Sequence, residues 1–397
     1  MRSLGAVIAL CGIPRRLPDG QQIPLDIDGS RRIATQAVKD VYQFCSSRPR
    51  TVRSSYRNFL LETRKLIGRR FRQQHGSAAP SNVEKANVYP YFIGVFDTVA
   101  ALGRPGAVIL FAIGFIILLA LVSLLLSLLT GLSGVQYVGW LLHYLKFGPV
   151  FTALAVASAI PLLAVYIRNY VKFDLRVPGY GWLKRLATFH IAPPKHEFTD
   201  YTLNVNVTYA KHAISIDEDR KDFGRVPWIP DASKATTRDV AGNLHFEQVW
   251  FAGVHADVGG GYPENESRLS DITLKWMLSA AAVIPEGLSY DERVLNPSPD
   301  PGGPQHDEAK AGHWQRGIRD LPTAPGTTVS RAIMHKSVYA RFEAGEVVLY
   351  DHLGEYRPVN LKNHVDFAHY YNGSAGAAPQ CVADDVETRY RAKANGA

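Results

Sequence analysis

The sequence predicts an α/β protein interrupted by a membrane-crossing helical hairpin, and three observations carry that expectation. An apolar run over 249–254 ends on His255 and passes through Asp257 into Gly259, Gly260 and Gly261. That is how an open sheet presents a base at the carboxyl end of a strand. A second apolar run, Tyr91 to Phe96, ends on Asp97. Between the two, 107–130 and 147–167 carry no charged residue, and each is long enough to cross the hydrocarbon core as a helix.

Composition sets the frame for these elements. With 397 residues and 46% hydrophobic content, the chain holds enough apolar surface for one large domain or two ordinary ones. The net charge of +8 invites a nucleic-acid reading, but no zinc spacing, RNA-binding aromatic signature or basic stripe accompanies it. Much of the basic charge sits between Arg48 and Arg72 and beside the apolar runs, a distribution suited to an anionic membrane surface. Cys11, Cys45 and Cys381 are too few and too scattered for a disulfide framework or a metal site, which points to a reducing compartment. No cofactor or metal is expected.

From the N-terminus, Met1 to Pro14 reads as a short helix stopped by Gly12 and Pro14 rather than as a signal peptide. Helical spacing follows in Asp28 to Ser46, with Ile33, Ala37, Val41 and Phe44 on one face, and in Ser54 to Phe71, with Tyr56, Phe59, Leu60 and Ile67. Gly76 to Ser81 has the composition of a linker. Tyr91 to Phe96 is a buried strand, and Thr98 opens a helix-like run.

The second apolar span contains Pro149 and Pro161 and is kinked or re-entrant. Arg104 precedes the hairpin, and Arg168, Lys172, Arg176, Lys184 and Arg185 follow it, against Lys146 in the connection. Both long flanks are therefore expected on the cytoplasmic side. The expected divisions are a first segment over 1–103, the hairpin over 104–172, a second segment over 173–372 and a tail over 373–397. Beyond the hairpin, Tyr209 to Ile216 reads as a short helix and Gln248 to Val254 as a strand. Ser270 is placed as the N-cap of a helix over Asp271 to Ala282, 296–312 as a loose loop, and Val347 to Tyr350 as a late strand.

Two strands ending on ionisable residues suggest a shared site, with Asp97 as acid, His255 as base and Asp257 as a secondary candidate. A side chain at Gly259, Gly260 or Gly261 would obstruct a ligand passing close to the backbone. Each residue also has a structural reading: Asp97 as a helix cap, Asp257 as a partner of loop amides, His255 as a buried hydrogen-bonding group. Acid before histidine is the α/β-hydrolase order, in which a serine on a GxSxG turn comes first. No GxSxG occurs in the chain.

The segments Tyr91 to Gly103, Phe246 to Pro263 and Leu269 to Leu278 resemble an α/β-hydrolase family of formerly unknown function. That family includes the catalytic domain of type VI secretion phospholipase effectors. In it an FDTV-like motif supplies the acid, matching Asp97, and a GVHxDVGGGY-like motif supplies the histidine, matching His255. His212 to Phe223 resembles the family's HALxxDExRxxF-like stretch, and Met1 to Pro14 the helix that follows its nucleophile turn. The resemblance implies a partial α/β-hydrolase fold whose serine lies upstream of Met1. It implies an esterase or phospholipase domain acting on phospholipid and inactive without that serine, which the expected hairpin would anchor in the membrane. The alternative is a non-catalytic membrane-bound remnant serving as a binding or regulatory module. Membrane lipid is the expected partner, nucleic acid is not, and secretion or immunity partners are undetermined.

Overall fold

A computed structural model describes residues 1–23, 26–45, 54–99, scattered positions between 115 and 168, 171–173, 181–186, 188–191, 201–312, 314–323 and 325–395. The chain forms two compact units, one of 1–44, 64–101 and 198–397, the other of 45–63 and 102–197.

The first unit opens with α1 (Arg2–Cys11), which stops at Gly12 with φ 67°. A Cβ there would lie 2.4 Å from the Ser77 carbonyl oxygen, so the stop requires glycine. The helix α2 (Ile27–Gln36) is capped by Asp26, whose side chain accepts the Gly29 amide. Its helical path continues through a π-turn over Ala37–Val41. Ile33, Ala37 and Val41 are buried with Cys11 and with Ile67 and Phe71 of α3 (Ser54–His75), as the spacing predicts. Arg72 fastens this cluster by donating to the Leu10 and Glu84 carbonyls. The expected linker after it is a small antiparallel hairpin, β1 (Ala78–Ala79) and β2 (Asn82–Ala86). Next comes β3 (Phe92–Phe96). The helix-like run expected from Thr98 falls, beyond Val99, outside the described residues.

In the second unit the described elements include the antiparallel pair β4 (Val171–Lys172) and β5 (His190–Ile191) and the short helix α4 (Trp182–Leu186). The membrane hairpin expected over 104–172 is not borne out. Among the described residues no helix is long and apolar enough to cross a membrane, and most of 107–130 and 147–167 lies outside those residues. Hydropathy counts side chains, whereas a span needs an unbroken helix of about 20 residues to satisfy its backbone. The expectations of membrane anchoring and of a cytoplasmic domain facing the bilayer lose their basis with it. The expected fold, a partial α/β-hydrolase with an inserted transmembrane hairpin, is corrected to a mixture of helices and sheets that includes one parallel sheet.

That sheet organises the rest of the first unit. Its strand order is β3, then β6 (Tyr209–Ser215), then β7 (Phe246–Phe251), with all pairings parallel. Tyr209 to Ile216, expected as a helix, is thus the central strand. Every residue of β6 is buried, so the alternation that marks a half-exposed strand is absent. Its polar residues are satisfied across the ladder, Lys211 by Glu247 at 2.8 Å and His212 by Gln248 at 3.3 Å.

Both faces of the sheet are covered. On one, α6 (Arg268–Val283) packs Leu269, Ile272, Trp276, Met277 and Ala280 against Ala213, Val249 and Phe251. Preceding it in the chain is the short α5 (His255–Gly259). The N-cap of α6 is Ser267, three residues before the expected Ser270. On the other face Ile214, Ile216 and Trp250 meet Met334 and, from α7 (Lys336–Glu343), Val338 and Phe342. The pair β8 (Val347–Leu349) and β9 (His352–Gly354) follows. The expected tail ends in α8 (Val386–Asn395), whose Val386 joins the α6 cluster.

Candidate acid–histidine site

Because β3 and β7 run parallel on either side of β6, their carboxyl ends share one edge of the sheet. Asp97 stands one residue beyond β3 and His255 four beyond β7, so residues 158 apart in sequence meet. Nδ1 of His255 and Oδ2 of Asp97 are 2.8 Å apart. The other oxygen of Asp97 accepts from the Ser215 amide at 3.0 Å and from Nη1 of Arg319. Arg319 is itself held by donating to Ser215 Oγ at 2.7 Å and to the Phe223 carbonyl at 2.9 Å. Burial by itself would raise the pKa of Asp97. The hydrogen bond from His255, the charge of Arg319 and the Ser215 amide outweigh it and hold the pKa at about 2.

Asp97 also occupies backbone space that L-residues rarely adopt, with φ 29°. Such a conformation costs on the order of 1–3 kcal/mol and persists only where the surroundings enforce it. Its amide donates to the Ala213 carbonyl at 2.7 Å, while the next amide, that of Thr98, donates to Nε2 of His212 at 3.3 Å. Burial, then nearby Arg2, pushes the His212 pKa down to about 3, so this imidazole is neutral and free to accept.

Since the partner of Nδ1 is a carboxylate, Nδ1 carries the proton and Nε2 presents a lone pair. Among the described residues Nε2 has no hydrogen-bond partner, and the side chain is 32% exposed. The backbone amide of His255 donates to Glu218 Oε2 at 3.1 Å, and the ring meets Phe223 edge-on with centroids 5.8 Å apart. An ionised, buried carboxylate behind a histidine with one open nitrogen is equipped to take a proton from a substrate or nucleophile on the exposed side.

Asp257 does not join this pair. Its Oδ2 accepts the Val254 amide at 3.0 Å, closing the first turn of α5, and its Oδ1 accepts from Nδ1 of His306 at 2.7 Å. The loop expected to be loose over 296–312 is anchored here. Gly253, with φ 105°, lets Asp257 approach: a Cβ on it would stand 2.3 Å from Cβ of Asp257. The three glycines of the motif border open space. Nothing lies within 4 Å of a Cβ built on Gly259, Gly260 or Gly261. What Gly260 and Gly261 supply is backbone freedom, at φ 83° and 138°.

Sequence reasoning missed Arg319, which lies 222 residues from the aspartate it clamps and in no recognisable spacing with it. Glu218 and Arg220 lie inside the His212 to Phe223 stretch that the sequence singled out. They pair through two hydrogen bonds, at 2.7 and 2.8 Å, and support the amide of His255. A cavity of about 280 Å³ adjoins the pair, sharing Glu218, Phe223 and Arg319 with its surroundings.

Residues 173–280 match the family described as T6SS, Phospholipase effector Tle1-like, catalytic domain. The matched segment contains β6, β7 and His255, while Asp97 and Arg319 lie outside it. No curated protein and no solved structure matches the chain.

Proposed function

We propose that Asp97 and His255 are the acid and base of a serine hydrolase that cleaves a carboxylic ester of a phospholipid. The observation that carries this reading is the 2.8 Å contact between His255 Nδ1 and a fully buried Asp97. It leaves Nε2 open at the carboxyl edge of a parallel sheet, and the segment bearing the histidine is similar to a phospholipase effector catalytic domain. In the first step the serine Oγ adds to the acyl carbonyl while Nε2 takes the hydroxyl proton. The tetrahedral adduct then collapses, and the same proton passes to the departing alcohol oxygen. Water repeats the sequence on the acyl-enzyme and releases the fatty acid. Throughout, Asp97 fixes the tautomer and stabilises the imidazolium.

The serine belongs to a segment outside the described residues. In support, no hydroxyl among the described residues is bonded to Nε2. The test is fatty-acid release from phospholipid vesicles by the purified protein. Release that disappears in His255→Ala, together with fluorophosphonate labelling of a serine, is the expected result. No release and no labelling would instead favour a non-catalytic binding module.

A further inference from the structure

We propose that the cavity beside the acid–histidine pair is a phosphate subsite in which Arg225 receives the phosphodiester of the substrate headgroup. Its basic side is formed by Arg220, Lys221, Arg225 and Arg319, its acidic side by Glu218, Asp219 and Asp320. Most of these charges are already matched. Arg220 is held by Glu218 at 2.7 Å, Arg319 is bound to Asp97, and Asp219 is bound to Arg316. Asp320 and Lys221 are exposed at the rim.

Arg225 differs from all of them. It is half-buried, and its guanidinium lies 5.6 Å from the centroid of the Trp250 ring. Among the described residues it has no carboxylate or carbonyl acceptor. Burial, and then the neighbouring charge of Arg319, disfavour its protonated form. A guanidinium has five donors in a planar fork, and no nitrogen of Arg225 is sealed from solvent without a partner, so these donors remain available to a ligand. A bidentate phosphate oxygen pair supplies both the acceptors and the missing negative charge.

The position suits the chemistry proposed above. Phe223 lines the cavity and touches the His255 ring, and Glu218 lines it and holds the His255 amide. A phosphate seated on Arg225 therefore directs the glyceryl ester of the same molecule toward His255. The volume suits a headgroup rather than an acyl chain, which needs the larger apolar sites typical of whole ligands.

This inference rests on the phospholipase reading for its substrate but is read without turnover, so the two fail separately. Glycerophosphocholine and inorganic phosphate are titrated into the purified full chain at low salt, with binding followed by phosphorus NMR. Glycerophosphocholine is expected to bind, more weakly as salt rises. Arg225→Gln should weaken it by about tenfold or more, Arg225→Lys should weaken it less, and His255→Ala should leave it unchanged. Unfolding midpoints of the variants are measured beside the wild type, and Arg225→Lys carries the comparison if Arg225→Gln does not fold. Equal binding by wild type and the Arg225 variants would overturn the assignment. Binding of neither probe would do so too, and so would binding of inorganic phosphate with glycerophosphocholine excluded.

Discussion

Two histidine–aspartate pairs in this protein share nearly the same contact, and their difference shows what that contact does not decide. In His255–Asp97 and His306–Asp257 an Nδ1 meets a buried carboxylate at 2.8 and 2.7 Å. The other nitrogen separates them. Nε2 of His306 faces Glu266 at 3.4 Å, and its ring lies under Tyr262 with centroids 3.5 Å apart. Nε2 of His255 is open among the described residues. The first arrangement anchors the 296–312 loop to α5, and the second leaves a lone pair for chemistry. The carboxylates differ as well: Asp97 has a guanidinium clamp, whereas Asp257 is committed to the amides of Val254 and His306.

The comparison can be broken most forcefully at Asp97. Asp97→Asn is expected to lower ester hydrolysis by about 10³-fold or more, because the amide can hold the wrong tautomer of His255. The parallel change Asp257→Asn should leave the rate within about tenfold and act on stability. Initial rates of fatty-acid release compare the two, and equal losses would erase the distinction between the pairs.

Arg319→Met is the next largest effect. It leaves Asp97 buried without its cation, and breaking a buried pair in this way costs about 3–5 kcal/mol. Urea unfolding should show the loss, together with a raised pKa for Asp97.

The two pairs should also mark opposite ends of the pH–stability curve. The folded pKa of Asp97 lies below its ordinary value of 3.8, at about 2. Its contribution is thus complete above pH 4 and is lost as the pH falls from about 4 to 2. For His306 burial acts to lower the pKa, but the hydrogen bonds to Asp257 and Glu266 outweigh it, and the net shift is upward. Its contribution is present below the unfolded value of about 6.5 and fades as pH rises through the folded one. Denaturation midpoints across pH for the wild type and His306→Gln should differ most in acid and converge in alkali. The variant itself should cost about 1–3 kcal/mol where His306 is charged.

Several elements were legible because their signals are local. The helix faces built on Ile33, Ala37 and Val41, the stop at Gly12, and the two apolar runs ending at Asp97 and His255 are short-range patterns of period and composition. The reading of Tyr209 to Ile216 as a helix went wrong because a strand buried on both faces loses its alternation, and Lys211 and His212 find partners only across the ladder. The membrane hairpin is not borne out, because among the described residues no helix is long and apolar enough to cross a membrane. Arg319 was invisible because a salt bridge across 222 residues leaves no trace in spacing.

The sequence by itself determined which residues bear charge, which segments are apolar and where glycine frees the backbone, since each is a property of side chains and their near neighbours. Only the tertiary structure decided that β3, β6 and β7 lie parallel, that Asp97 is clamped by Arg319, and that Asp257 serves His306 rather than His255. The physical reason is that burial, pairing and pKa depend on which distant groups share a volume from which water is excluded.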